Sequence, residues 1–117
     1  LMAKYKKGDA EFDMPQRMLN LYKKKEFGRY IDKDGSMHVN FLTNNDITGG
    51  NSGSPVMNGK GELIGLAFDG NIEAMAGDVI SDKQLQRTIN VDIRYVLWVI
   101  DIYAGAKNII NEIETVQ

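Results

Sequence analysis

The chain has 117 residues and a formal net charge of −2, with 43% apolar and 26% charged residues. These values are typical of one soluble globular domain with a modest core, and they lack the basic excess expected of a nucleic-acid-binding protein. With no cysteine and a single histidine, the composition excludes disulfides, thiolate metal sites and multi-histidine metal centres. We also expect no cofactor.

The N-terminal part of the chain predicts helical structure. Residues 1–12 are basic and read as the end of a helix closed by Gly8, and no apolar core follows their charges, so we expect no signal peptide here. The pattern then predicts a helix over 13–27, with Asp13 as N-cap and Gly28 at the C′ position. Its apolar residues recur on one helical face: Met14, Met18, Leu21 and Tyr22.

Residues 37–41 alternate apolar and polar side chains, which is typical of a half-buried strand. One of the polar positions is His38, which has to be considered as a base for a downstream nucleophile. Its place on the polar side of the strand favours a surface histidine, because a catalytic base also requires hydrogen-bond geometry that a lone residue does not establish.

A glycine-rich loop, Thr48 to Pro55, places Ser52 among glycines in the order Thr-Gly-Gly-Asn-Ser-Gly-Ser-Pro. Glycine adopts positive φ easily and lets other atoms approach the backbone. Such a loop can present a serine Oγ as a nucleophile while amide N–H groups converge on one point, and acyl transfer requires both features. The plainer interpretation is a turn between two strands.

A β-hairpin is predicted directly after this loop. Residues 55–57 and 62–68 read as its strands, joined by a tight turn rich in glycine. Gly65 inside the second strand indicates a close backbone approach or a bulge. Beyond the hairpin, the pattern predicts an irregular segment at 69–87 and a further strand at 88–91.

The clearest helix is predicted at 93–103, with Asp92 as its N-cap and Gly105 as its C-terminal stop. It is apolar nearly all round, so we expect it to be buried on several sides. The longest apolar run, 95–100, is far too short to span a bilayer. A final short helix is predicted at 108–113.

Four segments together resemble one family: DMPQRML at 13–19, the serine loop at 48–55, GELIGLAFDGN at 61–71 and VDIRYVL at 91–97. They are similar to the C-terminal part of the bacterial serine dipeptidyl peptidases 7 and 11, and closer to the type 7 enzymes. The resemblance covers nearly the whole chain. It implies a trypsin-like double barrel with an inserted helical domain and a metal-free exopeptidase that removes dipeptides from the free N-terminus of oligopeptides.

The resemblance assigns roles to four residues. Ser52 matches the nucleophile, and the amides of Gly50 and Ser52 match the oxyanion-hole donors. Asp69 matches the carboxylate that binds the α-ammonium of the substrate. Gly70 matches the S1 wall, which is arginine in the acidic-specific members and glycine in those that prefer a hydrophobic P1 residue. The family's catalytic histidine and aspartate lie upstream of the matched part, so we expect the isolated chain to be inactive.

The implied fold is an α+β fragment, a trypsin-like β-barrel lobe with flanking N-terminal and C-terminal helices. We expect 1–117 to be a single domain, with a helical segment at 1–28, barrel strands and the serine loop at 36–91, and C-terminal helices at 92–117. The resemblance implies an oligopeptide substrate, a homodimeric parent protein and a periplasmic or cell-surface location. We expect no nucleic-acid partner and no membrane span.

Three other interpretations remain. The chain could be part of a trypsin-like endopeptidase of the glutamyl type, although Asp69 would then stand where the P2 backbone must continue. The glycine loop could bind a phosphate. Phosphate-binding loops, however, carry Gly-Lys-Ser/Thr at the start of a helix, and here a strand is predicted at Pro55. Finally, the chain could be a non-catalytic structural or dimerisation fragment.

Overall fold

The computed structural model describes residues 1–71 and 87–116. The helices in these ranges are α1 (Gln16–Lys23), α2 (Ile93–Trp98) and α3 (Lys107–Glu112), and the strands are β1 (Asn40–Thr43), β2 (Pro55–Met57), β3 (Leu63–Gly70) and β4 (Thr88–Asp92). Short 3₁₀ turns lie at Met2–Lys4 and Gly28–Tyr30, and a π-helical turn, Val99–Tyr103, follows α2 directly. None of the described helices is long and apolar enough to cross a membrane.

The chain is divided into two compact units. The helical unit comprises Leu1–Met37 and Leu97–Thr115, and the sheet unit is formed chiefly by His38–Val96. The content is α+β, as predicted. The described strands form one antiparallel sheet of four strands in the order β1-β4-β3-β2, and these strands do not close into a barrel.

The buried face of this sheet is unexpectedly polar. On β4 the three buried residues are Thr88, Asn90 and Asp92, whereas Ile89 and Val91 on the other face are only half-buried. The Asn90 amide nitrogen donates to Thr43 Oγ1 at 2.9 Å, while Asn90 Oδ1 has no hydrogen-bond partner within the described ranges. Alternation alone favours the apolar residues of β4 as the inward ones, so the register had to be observed.

Small residues of β3 complete this face. A Cβ at Gly65 would lie 2.6 Å from the Val91 carbonyl oxygen and 2.7 Å from Phe41 Cε1. The close approach predicted at Gly65 is therefore present, and the aromatic ring of β1 fills the space that a side chain would take. A register shift also lies beside it, because Val56 is paired with Gly65 and Met57 with Leu63.

Helix α1 begins later than predicted. The carboxylate of Asp13 accepts a hydrogen bond from the neighbouring Met14 N–H at 2.8 Å and does not cap the helix. Pro15 occupies the N-cap position with extended backbone angles (φ −57°, ψ 138°). A residue that precedes proline is disfavoured in the α region, so a helix cannot readily start before Pro15.

The same helix ends earlier than predicted, and Lys25 rather than Gly28 takes the left-handed C′ position, with φ 53°. The Lys25 N–H donates to the Tyr22 carbonyl at 2.9 Å and the Glu26 N–H to the Leu21 carbonyl at 3.0 Å. These two bonds define a Schellman motif. A lysine at a position that favours glycine carries backbone strain.

Helix α2 begins at the predicted residue because Asp92 caps it. Asp92 Oδ1 accepts the Arg94 N–H at 2.9 Å, and the Arg94 guanidinium returns to Asp92 Oδ2 at 2.8 Å. The predicted helical range to Tyr103 is confirmed, but Val99–Tyr103 is a π-helical turn. Within this range only Trp98 is fully buried and the other residues are half-buried, so the helix is less buried than predicted.

Trp98 is the centre of the helical unit, with 2% of its surface exposed. Its indole Nε1–H donates to the Glu26 carbonyl at 2.9 Å, and the ring packs edge-on against Phe27 with 6.5 Å between centroids. Arg17 from α1 donates through Nε to the Tyr103 carbonyl at 2.9 Å and thereby satisfies the end of the π-helical turn.

A second contact of this unit joins Tyr30 to Asp101. The buried Tyr30 hydroxyl donates to Asp101 Oδ2 at 2.7 Å, and the Lys107 ammonium donates to Asp101 Oδ1. Lys107, and then Tyr30, hold the pKa of the Asp101 carboxyl below its ordinary value. Burial and the Asp101 carboxylate raise the pKa of Tyr30.

The remaining bounds differ slightly from the predictions. Strand β2 matches its prediction, β4 extends by one residue to Asp92, and α3 spans Lys107–Glu112. The first strand lies at Asn40–Thr43, so the predicted stretch 37–41 was placed too early. Strand β3 continues to Gly70, and most of the predicted irregular segment 69–87 lies outside the described residues.

Candidate active site

The serine loop is built from two consecutive turns braced by Asn51. Asn51 Oδ1 accepts hydrogen bonds from the Thr48 N–H at 2.8 Å and from Thr48 Oγ1 at 3.1 Å. The Asn51 N–H donates to the Thr48 carbonyl at 3.1 Å, and the Ser54 N–H donates to the Asn51 carbonyl at 2.9 Å. The Asn51 side chain therefore holds the upstream half of the loop, and the Asn51 backbone carbonyl holds the downstream half.

Two glycines give the loop its sharp path. Gly50 and Gly53 have φ values of 95° and 88°, which side-chain-bearing residues rarely adopt. After the second of these, the loop attaches to β3 by two backbone hydrogen bonds, from the Gly53 N–H to the Ala67 carbonyl at 2.6 Å and from the Ala67 N–H to the Ser54 carbonyl at 2.9 Å. Ser52 is thus held one residue from a fixed anchor.

Ser52 lies exposed at the tip of this loop, and its Oγ donates a hydrogen bond to the Phe68 carbonyl at 3.2 Å. Within the described ranges, the amides of Gly50 and Ser52 donate no hydrogen bond. Backbone N–H groups are nearly always paired unless they face solvent or a ligand. The loop therefore presents a hydroxyl and two available amide donors together.

A β-bulge shapes the strand beside the serine. Ala67 and Asp69 are paired with consecutive residues of β4, so Phe68 between them has no partner. Because side chains alternate along a strand, this extra residue returns Gly70 to the face of Ala67 and leaves Asp69 on the opposite face. The bulge also turns the Phe68 carbonyl toward Ser52 Oγ.

The two residues matched to substrate binding therefore stand side by side but on different faces of β3. Asp69 is exposed, and its Oδ1 accepts the Gly70 N–H at 2.8 Å. Gly70 is half-buried and is paired with the buried Thr88 on β4. A carboxylate is thus available to a cationic group close to the serine, and Gly70 lies on the face of the sheet that carries Thr88.

His38 is exposed, in agreement with its prediction as a surface residue. The hydroxyl of Ser52 donates to the Phe68 carbonyl and not to this imidazole. The described residues therefore bring together Ser52, Gly50, Asp69 and Gly70, and the only histidine of the chain does not join them.

Sequence reasoning missed three features of the site: the brace provided by Asn51, the bulge at Phe68 and the carbonyl that receives the serine hydroxyl. The first had a signal, since asparagine before the serine is a frequent turn former. The bulge had none, because Phe68 lies in an ordinary strand pattern without glycine or proline at its position.

Comparisons with known proteins identify the family. The family model for peptidase S46 matches residues 1–115. The chain is 75% identical over 117 residues to "Dipeptidyl-peptidase 7" of Capnocytophaga gingivalis. The match covers 100% of this chain and 16% of that protein. It is 51% identical over 117 residues to "Asp/Glu-specific dipeptidyl-peptidase" of the same organism, again over 16% of its length.

A solved structure shares the fold. The crystal structure of Porphyromonas endodontalis DPP11 in complex with the dipeptide Arg-Glu superposes with a TM-score of 0.91 at 47% identity, over 95% of this chain and 16% of that one. The chain therefore spans about a sixth of the length of the relatives that it matches. With a family model that extends over nearly all its residues, the chain belongs to the peptidase S46 family.

Proposed function

We propose that the protein containing this chain is a serine exopeptidase that releases dipeptides from the free N-terminus of oligopeptides and prefers a hydrophobic P1 residue. The observation that carries the proposal is the exposed Ser52 Oγ beside the unpaired amides of Gly50 and Ser52, as described for the ranges 1–71 and 87–116. The names of the relatives, dipeptidyl-peptidase 7 and Asp/Glu-specific dipeptidyl-peptidase, support the reaction class.

In the proposed reaction Ser52 Oγ attacks the carbonyl carbon of the second residue of the substrate. The Oγ–C bond forms and the peptide C–N bond breaks, while the hydroxyl proton passes through a base to the leaving amine. The two amides stabilise the oxyanion of each tetrahedral intermediate. Water then hydrolyses the dipeptidyl-enzyme. The base and its orienting carboxylate come from a part of the protein outside this chain.

Asp69 and Gly70 account for the proposed specificity. A free α-ammonium bound to the exposed Asp69 carboxylate, close to Ser52, would fix the distance between the N-terminus of the substrate and the bond that is cleaved. Glycine at position 70 leaves space for an apolar P1 side chain, whereas arginine there would occupy the pocket and pair with an acidic one. This arrangement favours an exopeptidase over a glutamyl-type endopeptidase.

The sheet unit supports a barrel completed by other parts of the protein. Among the described strands, β1 and β2 lie at the edges of the sheet, and the face opposite the buried polar one carries four apolar residues, of which Leu42 is exposed and the other three are half-buried. They are Leu42, Leu66, Ile89 and Val91. Strand edges, and apolar side chains that are partly exposed, are normally paired and covered in a complete protein. We therefore propose a trypsin-like barrel in a parent that is homodimeric and periplasmic or at the cell surface.

The experiment compares the full-length protein with its Ser52→Ala variant on dipeptidyl substrates with a free or an acetylated N-terminus. We expect cleavage of free substrates only, and a loss of several orders of magnitude in Ser52→Ala. Ser54→Ala is the matched control, since it removes a hydroxyl from the same loop. The isolated 117-residue chain should be inactive. Equal cleavage of acetylated and free substrates would contradict the proposal.

A further inference from the structure

Thr88 occupies a central place in the sheet unit. It belongs to β4 and is paired on one side with Thr43 of β1 and on the other side with Gly70 of β3. Directly opposed residues of an antiparallel pair have neighbouring side chains on the same face. Thr88 is completely buried. Its side chain therefore lies on the face of the sheet to which the bulge directs Gly70.

The hydroxyl of Thr88 makes a contact that leads toward the serine loop. Thr88 Oγ1 donates a hydrogen bond to the Asn45 carbonyl at 2.7 Å. Asn45 lies in the short segment between the end of β1 at Thr43 and the start of the serine loop at Thr48. The segment has no regular secondary structure, so a bond to the sheet within it restricts where the serine loop begins.

The serine loop is consequently held at both sides of Ser52. On the downstream side, Gly53 and Ser54 are bonded to the backbone of Ala67 on β3. On the upstream side, the carbonyl of Asn45 is bonded to the buried hydroxyl of Thr88. The upstream contact is the one made by a side chain, so substitution can remove it without altering the backbone.

We propose that Thr88 is a positioning residue that holds the serine loop in register with the S1 wall at Gly70. This inference rests on the proposed function. One threonine is the cross-strand neighbour of Gly70 and the donor to the segment that precedes the serine loop. If the loop shifts relative to Gly70, Ser52 Oγ and the P1 side chain can no longer occupy their best positions together, and misplacement by about 1 Å can lower a rate about a hundredfold.

The test uses the full-length protein and three variants. Thr88→Val keeps the shape of the side chain and removes the donor, and Thr88→Ser restores the hydroxyl. Thr43→Val is the matched control, because it removes a hydroxyl from the same face that contacts Asn90 and not the serine loop. The substrates are dipeptidyl amides with a free N-terminus and with leucine or alanine at P1. A phosphonate that reacts with the catalytic serine is used to count the competent active sites.

We expect Thr88→Val to lower kcat/KM for the leucine substrate by about tenfold or more, with a smaller loss for alanine, since the larger side chain depends more on the wall. Thr88→Ser should remain within about threefold of wild type, and Thr43→Val should leave the leucine-to-alanine ratio unchanged. The rate per titrated site should fall in Thr88→Val, whereas a merely structural role would lower only the titratable fraction.

The inference is overturned if Thr88→Val retains the wild-type ratio and rate per titrated site. Should Thr88→Val fail to fold, Thr88→Cys, which keeps a weaker donor of similar size, must show an intermediate ratio, and a wild-type ratio overturns the inference equally. Failure of the proposed function would be recognised separately, because wild type itself would then lack Ser52-dependent release of dipeptides.

Discussion

The ring of Phe41 fills the space above Gly65, where a Cβ would come within 2.7 Å of Phe41 Cε1 and within 2.6 Å of the backbone carbonyl oxygen of Val91. The two residues lie on β1 and β3, with β4 between them, so their contact spans the buried face of the sheet. A side chain at position 65 would therefore have to displace both a ring and a strand.

Gly65→Ala should accordingly destabilise the sheet unit by about 1–3 kcal/mol, the usual range for overpacking a filled core. Gly59→Ala is the matched control, because nothing lies within 4 Å of a Cβ at Gly59 and its φ is not positive. That control should be neutral or slightly stabilising. Urea unfolding of both variants measures the difference in stability. Equal unfolding midpoints would show that the Phe41 ring can move aside without a loss of stability.

Lys25→Gly should stabilise the helical unit. Lysine at φ 53° carries the strain of a left-handed backbone, about 1–2 kcal/mol, which glycine relieves at the expense of about 0.5–1 kcal/mol of unfolded-state entropy. We expect a net gain of about 0.5–1 kcal/mol in thermal unfolding. Lys24→Gly, at an ordinary helical φ of −82°, should instead destabilise by a similar amount, and a loss at both positions would refute the strain argument.

The ends of the helices illustrate which parts of the fold could be predicted from sequence. The start of α2 was predictable because the Asp92 side chain caps it by accepting the N–H of Arg94, only two residues away. The end of α1 was not, because Gly28 is the better residue for a C′ position and yet Lys25 occupies it. No residue near Lys25 in the sequence indicates that a lysine would adopt this strained backbone conformation.

The site shows the same division. The serine loop could be recognised because its glycines and asparagine act locally, within a few residues of Ser52. The bulge at Phe68 and the burial of Thr88 and Asn90 could not, because they depend on the register between β3 and β4. An alternating strand such as β4 is compatible with either face pointing inward, and only the partner strand decides which one does.

Acidification should weaken the helical unit through Asp101. The Lys107 ammonium and the Tyr30 hydroxyl lower the pKa of this carboxyl below 3.8. The unfolded chain therefore binds the proton at a higher pH than the folded chain, so this contribution to stability is complete above the ordinary pKa and is lost as the pH falls through the folded value. Urea unfolding between about pH 2 and pH 7 should show the loss in wild type.

Asp101→Asn should flatten that part of the pH profile, because the titrating group is absent. Lys107→Met removes the largest cause of the lowered pKa, so the acid-dependent loss of stability should be smaller than in wild type and should end at a pH nearer the ordinary value of 3.8. An unchanged profile in both variants would mean that other carboxylates account for the acid sensitivity.

Asp69→Ala in the full-length protein should reduce cleavage of peptides with a free N-terminus. A charge-assisted hydrogen bond contributes about 1.5–3 kcal/mol, which corresponds to about ten- to a hundredfold in kcat/KM. Acetylation of the substrate should lower kcat/KM of wild type by a similar factor and lower that of the variant little further. Both changes remove the same contact, between the α-ammonium and the Asp69 carboxylate. Asp69→Asn is the control, because it keeps the size of the side chain and removes its charge. If the losses caused by Asp69→Ala and by acetylation were additive, a direct contact between Asp69 and the ammonium would be contradicted.

Gly70→Arg in the full-length protein should reverse the preference at P1. The bulge at Phe68 returns position 70 to the face of Ala67 and Thr88, so a side chain introduced there would extend beside the proposed pocket rather than toward Asp69. The guanidinium would occupy space that a leucine or phenylalanine side chain needs, and it could pair in bidentate fashion with aspartate or glutamate. We expect kcat/KM to fall for leucine at P1 and to rise for glutamate. Gly70→Met is the matched control, since it fills the same space without a charge and should lower both rates. If Gly70→Arg depresses leucine and glutamate substrates to the same extent as Gly70→Met, position 70 limits the size of the pocket but does not select its charge.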